Sequence, residues 1–363
     1  MTGNVDNNVG DVIPTKPQVI HNKITATDYE RLLAACANDK ARVLGGANDD
    51  LWAAEKYKHS HDASYHEEAA PDLVVYPLTT EETSAIMAIC HERGLPVTAS
   101  GARTGLEGGC IPVQGGVTLD LSRMNKILEH HEADAQVTVQ CGIMKKDMQE
   151  FASEKGMFFA MDPGSEASIG GYASTGASGT LCTAKYGTMR DNVIRMRVVL
   201  PDGRTFWTRQ RAIKSSAGYD LNHLFMGTEG SLGIITELCI LLHPKPASMV
   251  GAVAVFPTLR HAAKAVIKIH HSRPSSLARC ELLNTIAIRS VNNLFPQQYE
   301  ETPTIFFEFH GTDEGTTAIA HAKYIESLCD DATSYRLAET EEEREKLWEA
   351  RRGCYFASFK VYS

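Results

Sequence analysis

GARTGLEGG, residues 101–109, sets four glycines into nine positions directly behind the run Leu95-Pro96-Val97-Thr98-Ala99. Backbone N–H groups in a turn with so little side-chain bulk can converge on an anion, because glycine accepts positive φ and lets a ligand approach the main chain. A tight surface connection would use the same residues, so this stretch alone decides nothing. Its spacing, G-x-x-x-G-x-x-G, misses the G-x-G-x-x-G of a dinucleotide crossover, and no G-x-x-x-x-G-K-[ST] occurs in the chain. Nicotinamide binding and P-loop hydrolysis both lose support.

Two further stretches repeat the pattern. DPGSEASIGGYASTGASGT, residues 162–180, interleaves five glycines with small and hydroxyl residues, and KYGTMRDNV follows closely. With so few bulky side chains neither an ordinary helix nor a packed strand is expected there, and its value lies in what it approaches. GTEGSLGIITE, residues 227–237, leads glycine and hydroxyl residues into an apolar strand. Three such stretches on one strand-rich unit point to one large ligand, with an extended diphosphate-bearing molecule as the candidate.

Working outward, Leu73-Val74-Val75 reads as a strand, and Thr79 to Glu82 offers a capping box for a helix burying Ile86, Ile89 and Cys90. Gly94 ends that helix, and a second strand enters the quoted loop. Strands are expected over 117–121, 136–140, 195–200, 204–208 and 234–242, with Pro201-Asp202-Gly203 as a tight turn. From Val250 the texture changes to strand 250–256, helices 258–271 and 281–294, strand 304–309, helix 314–328, strand 333–338 and helix 340–352. That βααβαβ order is expected to lay its helices on one face of a sheet. Three regions result: 1–68, an extension and connector with a short helix Tyr29–Ala37 capped by Thr27; 69–247, the unit carrying the glycine stretches; and 248–363, a separate domain.

At 363 residues and 43% hydrophobic content the chain can bury more than one core. A net charge of -9, with no Lys/Arg cluster interleaved with aromatics, argues against nucleic acid as a partner. The 9 cysteines form no C-x-x-C pair and fall mostly in apolar segments, as reduced thiols in a reducing compartment would. No apolar run is long enough for a transmembrane segment, and MTGNVDNNVGDVIP has neither an apolar signal core nor arginines. A soluble intracellular protein is the expectation.

In order and spacing, TGLEGG, DPGSEASIGG, STGASGT, YGTMRDNV, VVLPDG and GTEGSLGIITE resemble the flavin-binding domain of the vanillyl-alcohol oxidase superfamily, the p-cresol methylhydroxylase (PCMH) type. Within it they are most similar to the branch of D-lactate dehydrogenases and glycolate oxidase subunits. The likeness runs over Val74–Pro246. It implies an α+β fold, with a PCMH-type FAD-binding domain of two α+β subdomains followed by a partial ferredoxin-like cap. It implies FAD held non-covalently between the subdomains, its pyrophosphate on Ser100, Gly101, Ala102, Arg103, Thr104, Gly105, Leu106 and Gly108. Thr175, Gly176 and Gly179, with Ile234, Ile235 and Thr236, would line the adenosine and isoalloxazine portions. Asp162, Pro163, Gly164, Ser168, Ile169, Gly170, Gly187 and Gly230 complete the implied cofactor set. Tyr186 and Arg190 bracket the flavin on this reading, or Tyr186 is a buried anchor of its turn. No histidine stands where covalent flavin attachment would need one.

Members of the branch oxidise D-2-hydroxy acids and hand electrons to an external acceptor. D-lactate is therefore the leading substrate, with D-2-hydroxyglutarate and glycolate open. Cytochrome c, a quinone, an electron-transfer flavoprotein or oxygen are the candidate acceptors. Removing the hydroxyl proton while hydride leaves Cα needs a base, and a cation on the carboxylate. Arg351, in KLWEARRG, matches the family's arginine on the last cap helix; Arg352 is the alternative, and a cation favouring a helix C-terminus is the plain reading of both. The family's base and its zinc- or manganese-binding H-x6-H pair lie downstream of that helix. The chain is therefore expected to be a C-terminally truncated member, with the metal site in the missing segment and no metal ligands among these residues. His59, His61 and His66 read as part of a solvated linker, although family members carry a similar His/Asp-rich segment there. Relatives in eukaryotes are often mitochondrial, and mitochondrion or cytoplasm is the expected location.

Overall fold

The computed structural model describes residues 21–45, 52–295, 299–338 and 340–362. The first sheet draws on residues well before the glycine stretches. Helix α1 (Ala26–Ala35) is capped by Thr25, not Thr27. The Thr25 hydroxyl takes the Asp28 N–H and the Asp28 carboxylate takes the Thr25 N–H, a reciprocal box that needs an acid three residues on. Strand β1 (Val43–Leu44) then pairs antiparallel with β2 (Leu73–Val75), so the stretch read as an extension supplies an edge of the sheet. Helix α2 (Trp52–Lys58) sets Trp52 against Leu44, Val74 and Tyr76. Helix α3 (Thr80–Arg93) starts at the expected Thr79 cap and stops at Gly94, and it buries Ile86 and Cys90 against Leu32 and Leu33 of α1. Strands β3 (Val97–Ser100) and β4 (Val117–Asp120) run parallel to each other and to β2, in the order β1-β2-β4-β3. This crossover delivers the chain into the quoted loop at Ser100.

The second subdomain follows. Its elements are β5 (Ile127–His131), β6 (Gln136–Gln140), α4 (Lys145–Glu154), β7 (Met157–Phe158), α5 (Ile169–Thr175), α6 (Met189–Asn192), β8 (Val193–Val199), β9 (Thr205–Trp207), α7 (Leu221–Phe225), β10 (Ile234–Leu241) and β11 (His243–Pro244). Among the described residues five of these strands form an antiparallel sheet in the order β5-β6-β10-β8-β9. Apolar residues of both sheets, Val75 and Leu119 with Val139, Met196 and Leu238, belong to one core, which fixes the two subdomains relative to each other.

The glycine-rich run 162–180 is not wholly irregular, contrary to expectation. Residues Ile169–Thr175 form α5, capped by Ser168, whose Oγ takes the Gly171 N–H. Glycine costs a helix about 1 kcal/mol relative to alanine, and packing offsets it here. A Cβ on Gly170 would lie 2.5 Å from Cys141 Cβ and 2.7 Å from its carbonyl oxygen, so only glycine lets the helix sit against that strand end.

The cap contains β12 (Ser248–Val255), α8 (Leu259–Ser272), β13 (Leu277–Leu283), α9 (Thr285–Leu294), β14 (Thr304–Gly311), α10 (Thr316–Leu328), β15 (Ser334–Ala338) and α11 (Glu341–Tyr362). Its antiparallel sheet has the order β13-β14-β12-β15. Two expectations are corrected. The helix expected from 281 begins only at Thr285, because Leu277–Leu283 is a strand; LARCELL is made largely of good helix formers and takes its strand character from pairing with β14. The helices also cover both faces of the sheet. Ile305, Phe307 and Phe309 pack under α8 and α10, while Phe306 packs with Ile288, Val291, Leu347 and Trp348 of α9 and α11. Glu308 and His310 share that second face and are buried there.

Candidate functional site

The three glycine stretches close on one cleft of ≈ 420 Å³. The first contributes Ser100, Gly101, Ala102, Arg103, Thr104, Gly105 and Leu106; the second Pro163, Ser168, Gly170 and Thr175; the third Gly230, Ile234 and Ile235. First and second stretches meet where Ser168 Oγ would stand 2.8 Å from a Cβ on Gly101.

Ten of the expected residues lie off this lining. Gly108 faces His66, and Gly164 backs onto the Arg352 carbonyl of α11, which would lie 3.7 Å from a Cβ there. Asp162 is bridged by Lys145 Nζ at 3.3 Å and Arg279 Nη2 at 2.8 Å. Ile169 is fully buried in the core, Gly176 ends α5, and Gly179 abuts the Asp162 backbone. Gly187 turns against Asp191, and Thr236 donates to the Arg197 carbonyl while accepting from Thr80. Tyr186 is a buried anchor: its hydroxyl lies 2.7 Å from His310 Nδ1. Arg190 reaches the carbonyls of His223 and Met226.

Other lining residues were not foreseen. Glu229 projects from the third stretch with φ 50°, and Asp62, Cys110, Cys141, Ser165 and Tyr172 complete parts of the wall. Glu229 sits between Gly227 and Gly230 and was legible in GTEGSLG; Cys141 ends a strand pair and carries no local signal. Burial pushes the Cys141 thiol up to about 12 and the Cys110 thiol up to about 11, so neither offers a thiolate to a ligand.

The histidine-rich stretch splits. His66 is exposed, as a solvated linker would be, but His59 is buried with Nε2 2.7 Å from Asp120 Oδ2. Burial alone would raise the Asp120 carboxyl; the hydrogen bonds from His59 and from the Ser122 N–H outweigh it and hold the group below the usual range. A polar side chain enters a core only with a partner. His59 finds one on β4, out of reach of any local pattern. Among the described residues no set of His, Cys, Asp and Glu side chains is grouped to hold a metal ion.

Where the cap meets the loops beside the cleft, a second polar chain is buried. Arg279 Nε lies 3.5 Å from Glu308 Oε1, which also takes the His310 Nε2 proton at 2.7 Å. Burial pushes His310 down, against Glu308; for Glu308 the His310 hydrogen bond and Arg279 outweigh burial and hold the carboxyl low. Arg351 sends Nε and Nη2 to Glu281 Oε2, both at 2.7 Å, and does not line the cleft.

A strand-rich unit whose three glycine stretches wall one cleft, with an α+β cap joined to it through Arg279 and Asp162, is the scaffold that the comparisons assign to a flavin-dependent oxidoreductase. Residues 71–209 match the model of the FAD binding domain, and residues 245–360 match that of the FAD linked oxidases, C-terminal domain. The chain is 38% identical over 322 residues to a probable mitochondrial D-lactate dehydrogenase of Danio rerio, covering 88% of this chain and 64% of that one. It is 36% identical over 323 residues to glycolate oxidase subunit GlcD of Bacillus subtilis, covering 87% and 68%. A solved alkyldihydroxyacetonephosphate synthase shares the fold with a TM-score of 0.75 at 21% identity, covering 95% of this chain and 65% of that one. p-Cresol methylhydroxylase does so with 0.69 at 18%, covering 92% and 70%. The chain belongs to the FAD-linked oxidase family of the D-lactate dehydrogenases and the glycolate oxidase subunit. It spans 64% of the Danio rerio relative and 54% of the mitochondrial D-lactate dehydrogenase [cytochrome] of Arabidopsis thaliana.

The residues present fit FAD. The cleft falls in the range of about 300–1,000 Å³ usual for small-molecule sites, bare backbone faces it from two sides at Gly101, Gly105 and Gly170, and Arg103 brings a cation to it. Among the described residues no helix is long and apolar enough to cross a membrane.

Proposed function

We propose that this chain carries the oxidation of a D-2-hydroxy acid, D-lactate ahead of D-2-hydroxyglutarate and glycolate, with FAD non-covalently in the cleft and electrons leaving to an external acceptor such as cytochrome c, a quinone or an electron-transfer flavoprotein. Bound FAD would supply a hydride acceptor. The chain's own part is to hold the dinucleotide on the backbone of Ser100–Gly105, wall its flanks with Pro163, Thr175, Gly230 and Ile234, and offer a guanidinium to the substrate carboxylate. The residues expected to contact FAD beyond that lining, Asp162, Ile169, Gly176, Gly179, Gly187 and Thr236, act in this reading by shaping the walls.

The observation that carries this reading is the convergence of three glycine stretches on one cleft beside the cap helix that bears Arg351. Arg351 is our carboxylate clamp, exchanging Glu281 for the substrate. The zinc or manganese site of the resemblance finds no ligand set among the described residues, so no step here runs through a metal. Four relatives carry mitochondrial names, which supports mitochondrial residence over the cytoplasm.

A second reading, FAD retained without turnover, is favoured by one observation: no histidine lines the cleft among the described residues. An absorption spectrum of the purified chain before and after anaerobic D-lactate separates the two. Yellow protein that bleaches supports the dehydrogenase; yellow protein left unbleached by all three acids supports the binder; colourless protein that takes up no FAD sinks both.

A further inference from the structure

Behind the first glycine stretch lies a polar trio, Arg103 with the buried Asp120 and His59, that backbone binding alone does not explain. Arg103 has φ 57°, a left-handed conformation that side-chain-bearing residues rarely adopt. Such residues persist where their surroundings hold them, and they gather at functional sites. Here the guanidinium does the holding: Nη1 lies 3.1 Å from Asp120 Oδ2, 3.1 Å from the Gly101 carbonyl and 3.4 Å from Ser100 Oγ.

Asp120 is fully buried at the end of β4, opposite Ser100 in the register. The same Oδ2 faces His59 Nε2 at 2.7 Å, while His59 Nδ1 lies 2.8 Å from the Glu55 carbonyl oxygen and 3.4 Å from the Glu55 carboxylate. A carbonyl oxygen only accepts, so Nδ1 donates to Glu55, and His59 Nε2 and Arg103 Nη1 meet on the one Asp120 oxygen. Glu55 and Lys58, 3.5 Å apart, offset each other. Arg103 and His59 thus share the one Asp120 oxygen, which fixes the guanidinium and its charge against the underside of the loop.

The cleft has use for that charge. Its other charged lining groups are Asp62, Glu107 and Glu229, all acidic, and a diphosphate adds further negative charge. Among the described residues Arg103 is the cation of the lining. All of its hydrogen bonds leave from Nη1, so Nε and Nη2 remain for a ligand.

We propose that the Arg103 side chain clamps the diphosphate of the dinucleotide, and that Asp120 and His59 are its positioning residues. Holding the guanidinium by one amino group leaves its other donors set for a charge-assisted pair of bonds with no rearrangement of the loop. This rests on the reading of the cleft as the FAD site.

The test is FAD titration of the whole chain by quenching of flavin fluorescence at about 50 and 300 mM salt, alongside the thermal midpoint of the cofactor-free protein. Arg103→Gly is the sharpest variant, because glycine adopts this φ without strain. FAD binding weakens ~10- to 100-fold and loses most of its salt dependence, while the cofactor-free midpoint, in which relief of the strained φ opposes loss of the Asp120 ion pair, shows that the variant stays folded. Arg103→Lys recovers part of the affinity. Asp120→Asn and His59→Gln weaken FAD binding in the wild-type background and add nothing in the Arg103→Gly background, as residues acting through Arg103 must; additive losses overturn their positioning role. Wild-type FAD affinity in Arg103→Gly overturns the clamp. A folded wild-type chain that takes up no FAD overturns the reading of the cleft instead.

Discussion

Arg279 of the cap and Asp162 of the flavin-side loop meet across the two domains, Nη2 to Oδ2 at 2.8 Å. The residue after Asp162 is Pro163, which lines the cleft. The cap sheet therefore grips one wall of the site through charge, beside the small apolar cluster of Phe158, Ala160, Leu181, Tyr186 and Ala278.

Removing one partner of a buried pair leaves the other charge uncompensated, at a cost of about 3–5 kcal/mol. Arg279→Met is expected to lower unfolding stability in urea by that order, since both Asp162 and Glu308 lose a cation. Adding Asp162→Asn should restore much of the loss. A single-variant loss of less than ~0.5 kcal/mol would show the bridge to be idle.

Arg351 now holds Glu281 with two nitrogens. If it clamps the substrate carboxylate, Arg351→Lys should leave the flavin absorbance intact and raise the D-lactate concentration for half-maximal anaerobic bleaching ~10- to 100-fold, the worth of a charged hydrogen bond. An unchanged half-maximal concentration would move the clamp elsewhere.

Burial lowers His310, and likewise His243, from the ordinary 6.5. As pH falls through about 6.5, the unfolded chain takes up protons that the folded imidazoles still refuse, so stability present above that value is lost progressively below it. The thermal midpoint should fall between about pH 7.5 and 5.5. His310→Gln, which can still accept from Tyr186 and donate to Glu308, should show a shallower fall. An identical slope in the variant would mean that His310 does not titrate with unfolding.

Two glycine variants separate fold from ligand. Gly170→Ala forces a Cβ onto Cys141 and should cost about 1–3 kcal/mol as overpacking. On Gly105 a Cβ meets nothing nearer than Asp62 Oδ2 at 3.7 Å, so Gly105→Ala should keep its melting temperature while FAD affinity drops ~10-fold by intrusion into the cleft. Equal FAD affinity in Gly105→Ala would remove this loop from the binding surface.

The glycine stretches, the Thr79 cap with its Gly94 stop, the strand entering the first stretch and the strand leaving the third were legible because each rests on residues adjacent in the chain. Strand β13 was not, because LARCELL has the composition of a helix and is made a strand by β14 beside it. His59 was not, because its partner Asp120 lies sixty-one positions away.

By itself the sequence determined where backbone would be left bare and where strands such as β2, β6 and β10 would run, since glycine content, caps and apolar spacing act through neighbouring residues. The tertiary structure alone decided which glycines face the cleft and which, like Gly179, only admit a neighbouring chain. It alone also paired Asp162 with Arg279 and buried His59. Close approach and charge pairing depend on distances between segments remote in the chain, and chain folding fixes those distances only when the cores close.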